Sequence, residues 1–206
     1  MRSRSGKPGS LSSSDVSPQV CVLDVFQTDL GWMGIQVAVG GVQRVVFDCQ
    51  SATQAEVMLG AAEFAADARL ERSVPAGVDK LVAELRDGLV DFAQGKRIDF
   101  GFVPLATRRM TTFQAAVIEH CRAIPYGQTS SYGQLAEAAG YPRAARAVGS
   151  VMSRNRWPLI VPCHRVISSG GGLRGFSSRR GLSMKQILLE LEQRSTASTK
   201  RRLDSP

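Results

Sequence analysis

Along the first hundred residues the apolar positions switch between two periods. Val20 to Phe26 is a β-rich run; Ile35, Val37 and Val39 then alternate with their neighbours, Gly40-Gly41 interrupts, and Val42 to Phe47 resumes. Alternation at period two around a two-residue turn predicts an antiparallel hairpin with one buried face. Ser51-Ala52-Thr53-Gln54 has capping-box spacing and opens a helix. Val78, Leu81, Val82, Leu85, Leu89 and Phe92 recur at helical spacing, and Gly95 can end that helix. Ile98, Phe100 and Phe102 alternate, which predicts a last short strand before Pro104.

Leu105 to Met110 reads as a linker, after which the pattern is mainly helical. Phe113, Ala116, Val117, Cys121 and Ile124 share a helix face and stop at Pro125-Tyr126-Gly127. Ser131-Tyr132-Gly133-Gln134 is a second capping box, opening a helix that Gly140 closes, and Pro142 suits the first turn of the next helix, running to about Ser153. Two short helices around a glycine turn form a helix-turn-helix pattern. The expected class is therefore α/β: a small N-terminal antiparallel hairpin-based sheet with helices, then a mainly helical part holding the helix-turn-helix and a cysteine strand. Residues 18–104 and 105–194 are expected as the two domains, with 1–17 and 195–206 as disordered tails.

Charge changes the picture. The chain has 206 residues and a formal net charge of +8, which favours a polyanionic partner. No apolar run reaches the roughly 18–20 residues of a membrane span, and the first seventeen residues lack the apolar core of a secretory signal. Cys21, Cys49, Cys121 and Cys163 are widely spaced with no CxxC pair, so neither a disulfide framework nor a zinc ribbon is indicated. With two histidines in the chain, no metal site is expected either. A reduced, cytoplasmic protein is the expectation, nuclear if the source is eukaryotic.

The basic residues concentrate where chemistry also gathers. Between Ser131 and Arg165 stand five arginines (Arg143, Arg146, Arg154, Arg156 and Arg165) and one acid, Glu137. Arg143, Arg146 and Ser150 have the spacing of one helix face, and Ala144, Ala145, Ala147 and Gly149 keep that helix thin enough to approach a groove closely. A basic solvated face is the bland alternative. Just downstream, Leu159-Ile160-Val161-Pro162-Cys163-His164-Arg165-Val166-Ile167-Ser168 frames one thiol between proline and histidine on an apolar, strand-like run. A thiol near pKa ~8.5 needs a base or a positive field to act as nucleophile. His164 is adjacent, and on an extended segment neighbours leave opposite faces, so a bridging water would have to carry the proton. Its carboxylate partner would be Glu190 or Glu192, on a helix read as Ser183–Gln193.

The run Ile-Val-Pro-Cys-His-Arg-Val-Ile, with Ile-Pro-Tyr-Gly-Gln-Thr-Ser-Ser-Tyr-Gly-Gln-Leu-Ala and Arg-Ala-Ala-Arg-Ala-Val-Gly ahead of it, resembles the O6-alkylguanine-DNA alkyltransferases, densely from Phe113 to about Glu192. The resemblance implies repair by direct damage reversal: a minor-groove helix-turn-helix on double-stranded DNA, extrusion of the alkylated guanine, and one irreversible transfer per protein molecule. O4-alkylthymine is a second candidate substrate; no cofactor, metal or membrane is implied, and the protein is expected as a monomer. By resemblance Cys163 is the alkyl acceptor, His164 its water-bridged base and Glu192 the carboxylate that orients the base. Asn155 braces the turn before the cysteine, Arg146 fills the vacated stack, and Tyr132 crowds the target phosphate and donates to guanine N3. Arg143 joins Arg146 on the DNA face, while Met152, Pro158, Val166, Phe176 and Ser177 match the pocket wall. Two features depart from the pattern: Ser178-Arg179-Arg180-Gly181 stands where paired glycines are usual, and Trp157 is large for a pocket rim. An alkyltransferase-like protein that binds the lesion without repairing it is the alternative, although such proteins usually lack the cysteine. A Cys-His acyl hydrolase fits the adjacent histidine poorly.

Overall fold

The computed structural model describes residues 21–60, 77–107, 110–173, 175–176 and 178–203, the last of these without the side chains of 197–203. Strands β1 (Cys21–Thr28), β2 (Gly31–Ala38) and β3 (Gly41–Cys49) form an antiparallel sheet in the order β1-β2-β3. The register pairs Ala38 with Gly41, so the two-residue turn is Val39-Gly40, one position earlier than the sequence pattern suggested. Along β2, Met33, Ile35 and Val37 are fully buried on the face that meets the main core. On the opposite face Val46, Cys49, Ala55 and Leu59 form a smaller cluster beneath α1 (Ala52–Leu59). Gly34 permits this close packing, because a Cβ there would come within 2.8 Å of Leu59 Cδ1.

Helix α1 begins as the sequence indicates, with Ser51 Oγ accepting from Gln54 N. Helix α2 (Val78–Ala93) buries Val78, Leu85, Leu89 and Phe92 against the sheet, and Gly95 in a left-handed conformation (φ 83°) follows its end. The strand expected at Ile98–Phe102 does not form. Asp99 Oδ1 accepts from Gly101 N, and Arg122 Nη2 donates to the carbonyls of Phe100 and Val103, so side chains rather than a ladder satisfy this backbone. The supposed linker is also tied down where it is described: Val42 N donates to Pro104 O and Ala106 N to Val42 O.

Helix α3 (Thr112–Arg122) starts with a full capping box at Thr111 and Gln114, and α4 (Tyr132–Ala138) with another at Ser131 and Gln134. Helix α5 (Ala145–Ser153) packs on α4 to complete the helix-turn-helix. It begins later than Pro142. Arg143 adopts φ 72°, a left-handed conformation that cannot continue into a right-handed helix, so this side chain belongs to the turn and not to the α5 face.

After α5 the chain crosses the core through Leu159, Ile160 and Val161 and tightens into a 3-10 turn, Cys163–Arg165. Cys163 therefore lies on a turn, not on the strand expected; Cys163 N donates to Val161 O and Arg165 N to Pro162 O. The strand that follows, β5 (Val166–Ile167), pairs in parallel with β4 (Ser130–Ser131). Helix α6 (Leu182–Leu203) runs past the expected boundary at 194, continued by the Glu190–Arg194 pair at 3.6 Å in a stretch without helix breakers. The expected N-terminal tail lies outside the described residues. No described helix is long and apolar enough to cross a membrane.

The main core is shared by both halves of the chain. Phe92, fully buried, meets Phe100, Tyr126 and His164 at ring separations of 6.1–6.3 Å. Trp157 belongs to this junction: it is 3% exposed and its indole N–H donates to Val42 O at 2.6 Å. Truncating Phe92 to Ala should therefore cost about 3–5 kcal/mol and loosen both halves together, seen as one cooperative urea transition displaced to lower midpoint.

Candidate active site

The site is built around a carboxylate that water does not reach. Glu192, on the inward face of α6 with Met184, Lys185 and Leu188, is fully buried. His164 Nε2 lies 2.8 Å from its Oε1, Arg165 donates from Nη2 at 2.9 Å and from Nε at 3.0 and 3.1 Å, and Gly127 N donates to Oε2 at 2.8 Å. Gly127 is at φ 77°, and a Cβ there would come within 2.7 Å of Thr196 Oγ1, so Pro125-Tyr126-Gly127 is shaped to present that amide. Burial pushes the Glu192 carboxyl up, but hydrogen bonds and charge from His164 and Arg165 outweigh it and bring it down to about 2. Glu190, the other sequence candidate, turns outward to Gln186 and Arg194.

An ionised Glu192 can only accept, which assigns the proton of a neutral His164 to Nε2. Burial lowers the pKa of His164, so at neutral pH the ring is uncharged. Its other nitrogen, Nδ1, is buried and has no hydrogen-bond partner among the described residues. The imidazole is thus held with a bare, basic nitrogen on the side away from the carboxylate.

Cys163 is 8% exposed. Burial raises its pKa, opposed by an Asn155 hydrogen bond, by the charge of Lys185 and by the backbone amides of Cys163 and His164. The resting thiol is therefore protonated. On a 3-10 turn successive side chains diverge by about 120°, not the 180° of a strand, so the opposition expected between Cys163 and His164 is relaxed. Asn155 joins α5 to this turn, donating from Nδ2 to Val161 O at 2.8 Å and accepting from Trp157 N at 3.0 Å.

Tyr132 opens α4 half-buried, its ring 4.0 Å from where a Gly149 Cβ would stand. Burial first, then proximity to Cys163 and Cys121, raises the pKa of its hydroxyl and keeps it a proton donor. Met152 and Val166 are buried, Pro158 is half-buried and bridges to Val161, and Phe176 packs edge-on to Phe47 at 5.9 Å. Arg146 is exposed on α5 and Arg143 is exposed in the turn before it. Ser177 lies outside the described residues. Two surface cavities of about 320 and 410 Å³ flank the region, one beside Phe100, Arg122 and Arg165, the other between α3 and α5; neither is lined by Cys163.

Residues 112–194 match the family model described as 6-O-methylguanine DNA methyltransferase, DNA binding domain. The chain is 49% identical over 82 residues to the methylated-DNA–protein-cysteine methyltransferase of Methanosarcina acetivorans, a match covering 40% of this chain and 51% of that protein. It is 39% identical over 112 residues to the constitutive enzyme of that name from Bacillus subtilis, covering 54% and 66%. The crystal structure of Mycobacterium tuberculosis OGT in complex with DNA superposes with a TM-score of 0.60 and 30% identity over 84% of this chain and 93% of that one. The chain belongs to the O6-methylguanine-DNA methyltransferase family. It spans about half the length of the first curated relatives it matches, whereas the structural likeness takes in the N-terminal sheet as well.

As a family member the chain places two further groups at the site that the sequence reading passed over. Arg165 was read as part of the basic bias, yet it is buried, chelates Glu192 and donates to Ile124 O at 2.6 Å. Lys185 is fully buried, donates to Val166 O at 2.6 Å, and lies 5.9 Å over the Tyr132 ring. A lysine three residues before Leu188 and seven before Glu192 sits on the apolar stripe of α6, which is the signal that marks it.

Replacing Glu192 with Gln should destabilise the fold by about 3–5 kcal/mol, because Arg165 would be left buried without its counter-ion. The folded carboxyl titrates below its ordinary value of 4.5, so its stabilisation is complete above that pH and is lost as pH falls towards 2. Urea unfolding across that window should show a shallower pH slope in Glu192→Gln than in the parent protein.

Proposed function

We propose that this protein repairs O6-alkylguanine in double-stranded DNA by transferring the alkyl group irreversibly to Cys163. The observation that carries the reading is the buried Cys163 turn beside a His164 whose tautomer Glu192 dictates, leaving Nδ1 free to take a proton. The DNA complex formed by the M. tuberculosis relative supports DNA as the partner, as does the net charge of +8. Helix α5 enters the minor groove, Arg143 and Arg146 contact the DNA, and Arg146 occupies the space of the extruded guanine, at a cost of a few kcal/mol for unstacking. The protein acts as a monomer, and O4-alkylthymine is a second candidate substrate.

In the reaction the Cys163 proton passes through a bridging water to His164 Nδ1, and Glu192 stabilises the imidazolium that results. The thiolate attacks the alkyl carbon in line; the S–C bond forms as the C–O6 bond breaks. Tyr132 gives its proton to guanine N3, and the Ser177 backbone amide donates to O6, so the leaving base departs without net charge. Lys185 steadies the thiolate and the Tyr132 phenolate in turn. Met152, Pro158, Val166 and Phe176 wall the base, and Asn155 holds the turn in register with α5. The thioether product offers water no carbonyl to attack, so each molecule acts once.

Exposure to an oligonucleotide carrying O6-methylguanine should add one methyl group to the intact mass, mapped to the Cys163 peptide, in a single stoichiometric burst. Cys163→Ala should abolish transfer while gel shift still reports DNA binding. Multiple turnovers, or lesion binding with no transfer by the parent protein, would count against repair, the latter in favour of a lesion-binding protein. Arg146→Ala should slow repair of duplex about 10-fold or more while leaving attack on the free base unchanged; equal losses on both substrates would remove Arg146 from base extrusion.

A further inference from the structure

The segment that departs from the family pattern, Ser178-Arg179-Arg180, holds Asp48 through a backbone amide and through side-chain donors that paired glycines would lack. Arg180 donates from its backbone N–H to Asp48 Oδ2 at 2.8 Å and from Nε to Asp48 Oδ1 at 2.6 Å, and its Nη2 reaches Leu30 O at 3.1 Å. Arg179 Nε donates to Asp48 O at 3.3 Å. Asp48 is 1% exposed and stands at φ 60°. The cause is a β-bulge: Trp32 pairs with Cys49 and Gly34 with Val46, so Phe47 and Asp48 together oppose Met33. A bulge redirects side chains, and here it turns the carboxylate towards residues more than 130 positions away while Phe47 meets the Phe176 ring.

The chain from Ser168 to Gly181 leads from the Cys163 turn to α6, which starts at Leu182, three residues ahead of Lys185 and ten ahead of Glu192. It is glycine-rich, and added Cβ atoms at Gly170, Gly171, Gly175 and Gly181 would meet nothing within 4 Å. These glycines give the connection little packing of their own to fix its position. Phe176 nevertheless packs against the core that contains Cys163. Burying a carboxylate for one ion pair is a poor way to gain stability alone, and a left-handed aspartate adds strain; both are accounted for if the pair serves to hold a position.

We infer that the Asp48–Arg180 latch, springing from the β3 bulge, fixes the depth at which Phe176 packs on this core and so limits the size of the group the thiol accepts. In the reaction proposed above, on which this inference rests, it makes the protein selective for small O6-alkyl groups over bulky aryl-methyl ones. Arg180→Ala and Arg180→Lys alter a half-exposed side chain and keep the fold; Asp48→Asn keeps the shape of the acid without its charge. Repair rates on duplexes bearing O6-methylguanine or O6-benzylguanine should show the benzyl-to-methyl ratio rising about tenfold in Arg180→Ala and Asp48→Asn, and less in Arg180→Lys, with the methyl rate within about threefold of the parent. A DNA-free assay, mapped modification of Cys163 by iodoacetamide against N-benzylmaleimide, should shift towards the larger reagent in the same variants. Unchanged ratios in folded Arg180 variants would overturn the latch. If the parent protein takes no alkyl group from DNA, the repair reading fails, and the reagent ratio still decides on the latch.

Discussion

A carboxylate sealed from solvent at Glu192 is the constraint around which this molecule is arranged. Removing such a charge from water costs several kcal/mol unless its lone pairs are filled, and here an imidazole, a guanidinium and a backbone amide fill them. The donors and the acid come from three stretches of chain: the 3-10 turn supplies His164 and Arg165, the Pro-Tyr-Gly turn supplies Gly127, and α6 brings the acid. The geometry of three separate segments is thereby set by one group. The same arrangement settles the proton on His164, since an acceptor-only carboxylate leaves one tautomer of the neutral ring.

The N-terminal sheet takes part in this arrangement from the far side. Phe92 of α2 stands edge-on to His164 and also meets Tyr126, whose hydroxyl donates to Gly95 O at 3.3 Å. Trp157 donates to Val42, and Val45 N donates to Arg156 O at 2.8 Å, joining the segment that leads to Cys163 to strand β3. The imidazole thus has a wall from one half of the chain and a counter-charge from the other. Dryness at His164 depends on both.

Local signals were legible in the sequence and long-range ones were not. The hairpin, the side-chain caps at Ser51 and Ser131 and the apolar stripe of α2 follow from spacing over a few residues, and the alkyltransferase resemblance was carried by contiguous runs. The Ile98–Phe102 strand failed because Arg122, some twenty residues on, takes its carbonyls. Cys163 was placed on a strand because an apolar run bounded by proline looks extended, whereas the chain turns there to bring Arg165 to Glu192. Arg165 itself looked like surface charge, since nothing within ten residues offers it a buried acid. The Asp48 bulge has no local signature at all; its partners are Arg179 and Arg180.

The resting protonation of Cys163 then becomes intelligible as a consequence of packing and not a defect of the nucleophile. A thiolate exposed at neutral pH would react with whatever electrophile or oxidant reached it, and under the single transfer proposed above each such event is a lost molecule. Burial keeps the proton on sulfur, while Asn155, Lys185 and the turn amides are already in place for the anion. His164 Nδ1 is bare for the same reason that Glu192 is ionised. The charge separation needed for attack is therefore prepared in the surroundings and withheld from the sulfur. In the proposed reaction it is drawn on only when a base has been brought into place and solvent shut out.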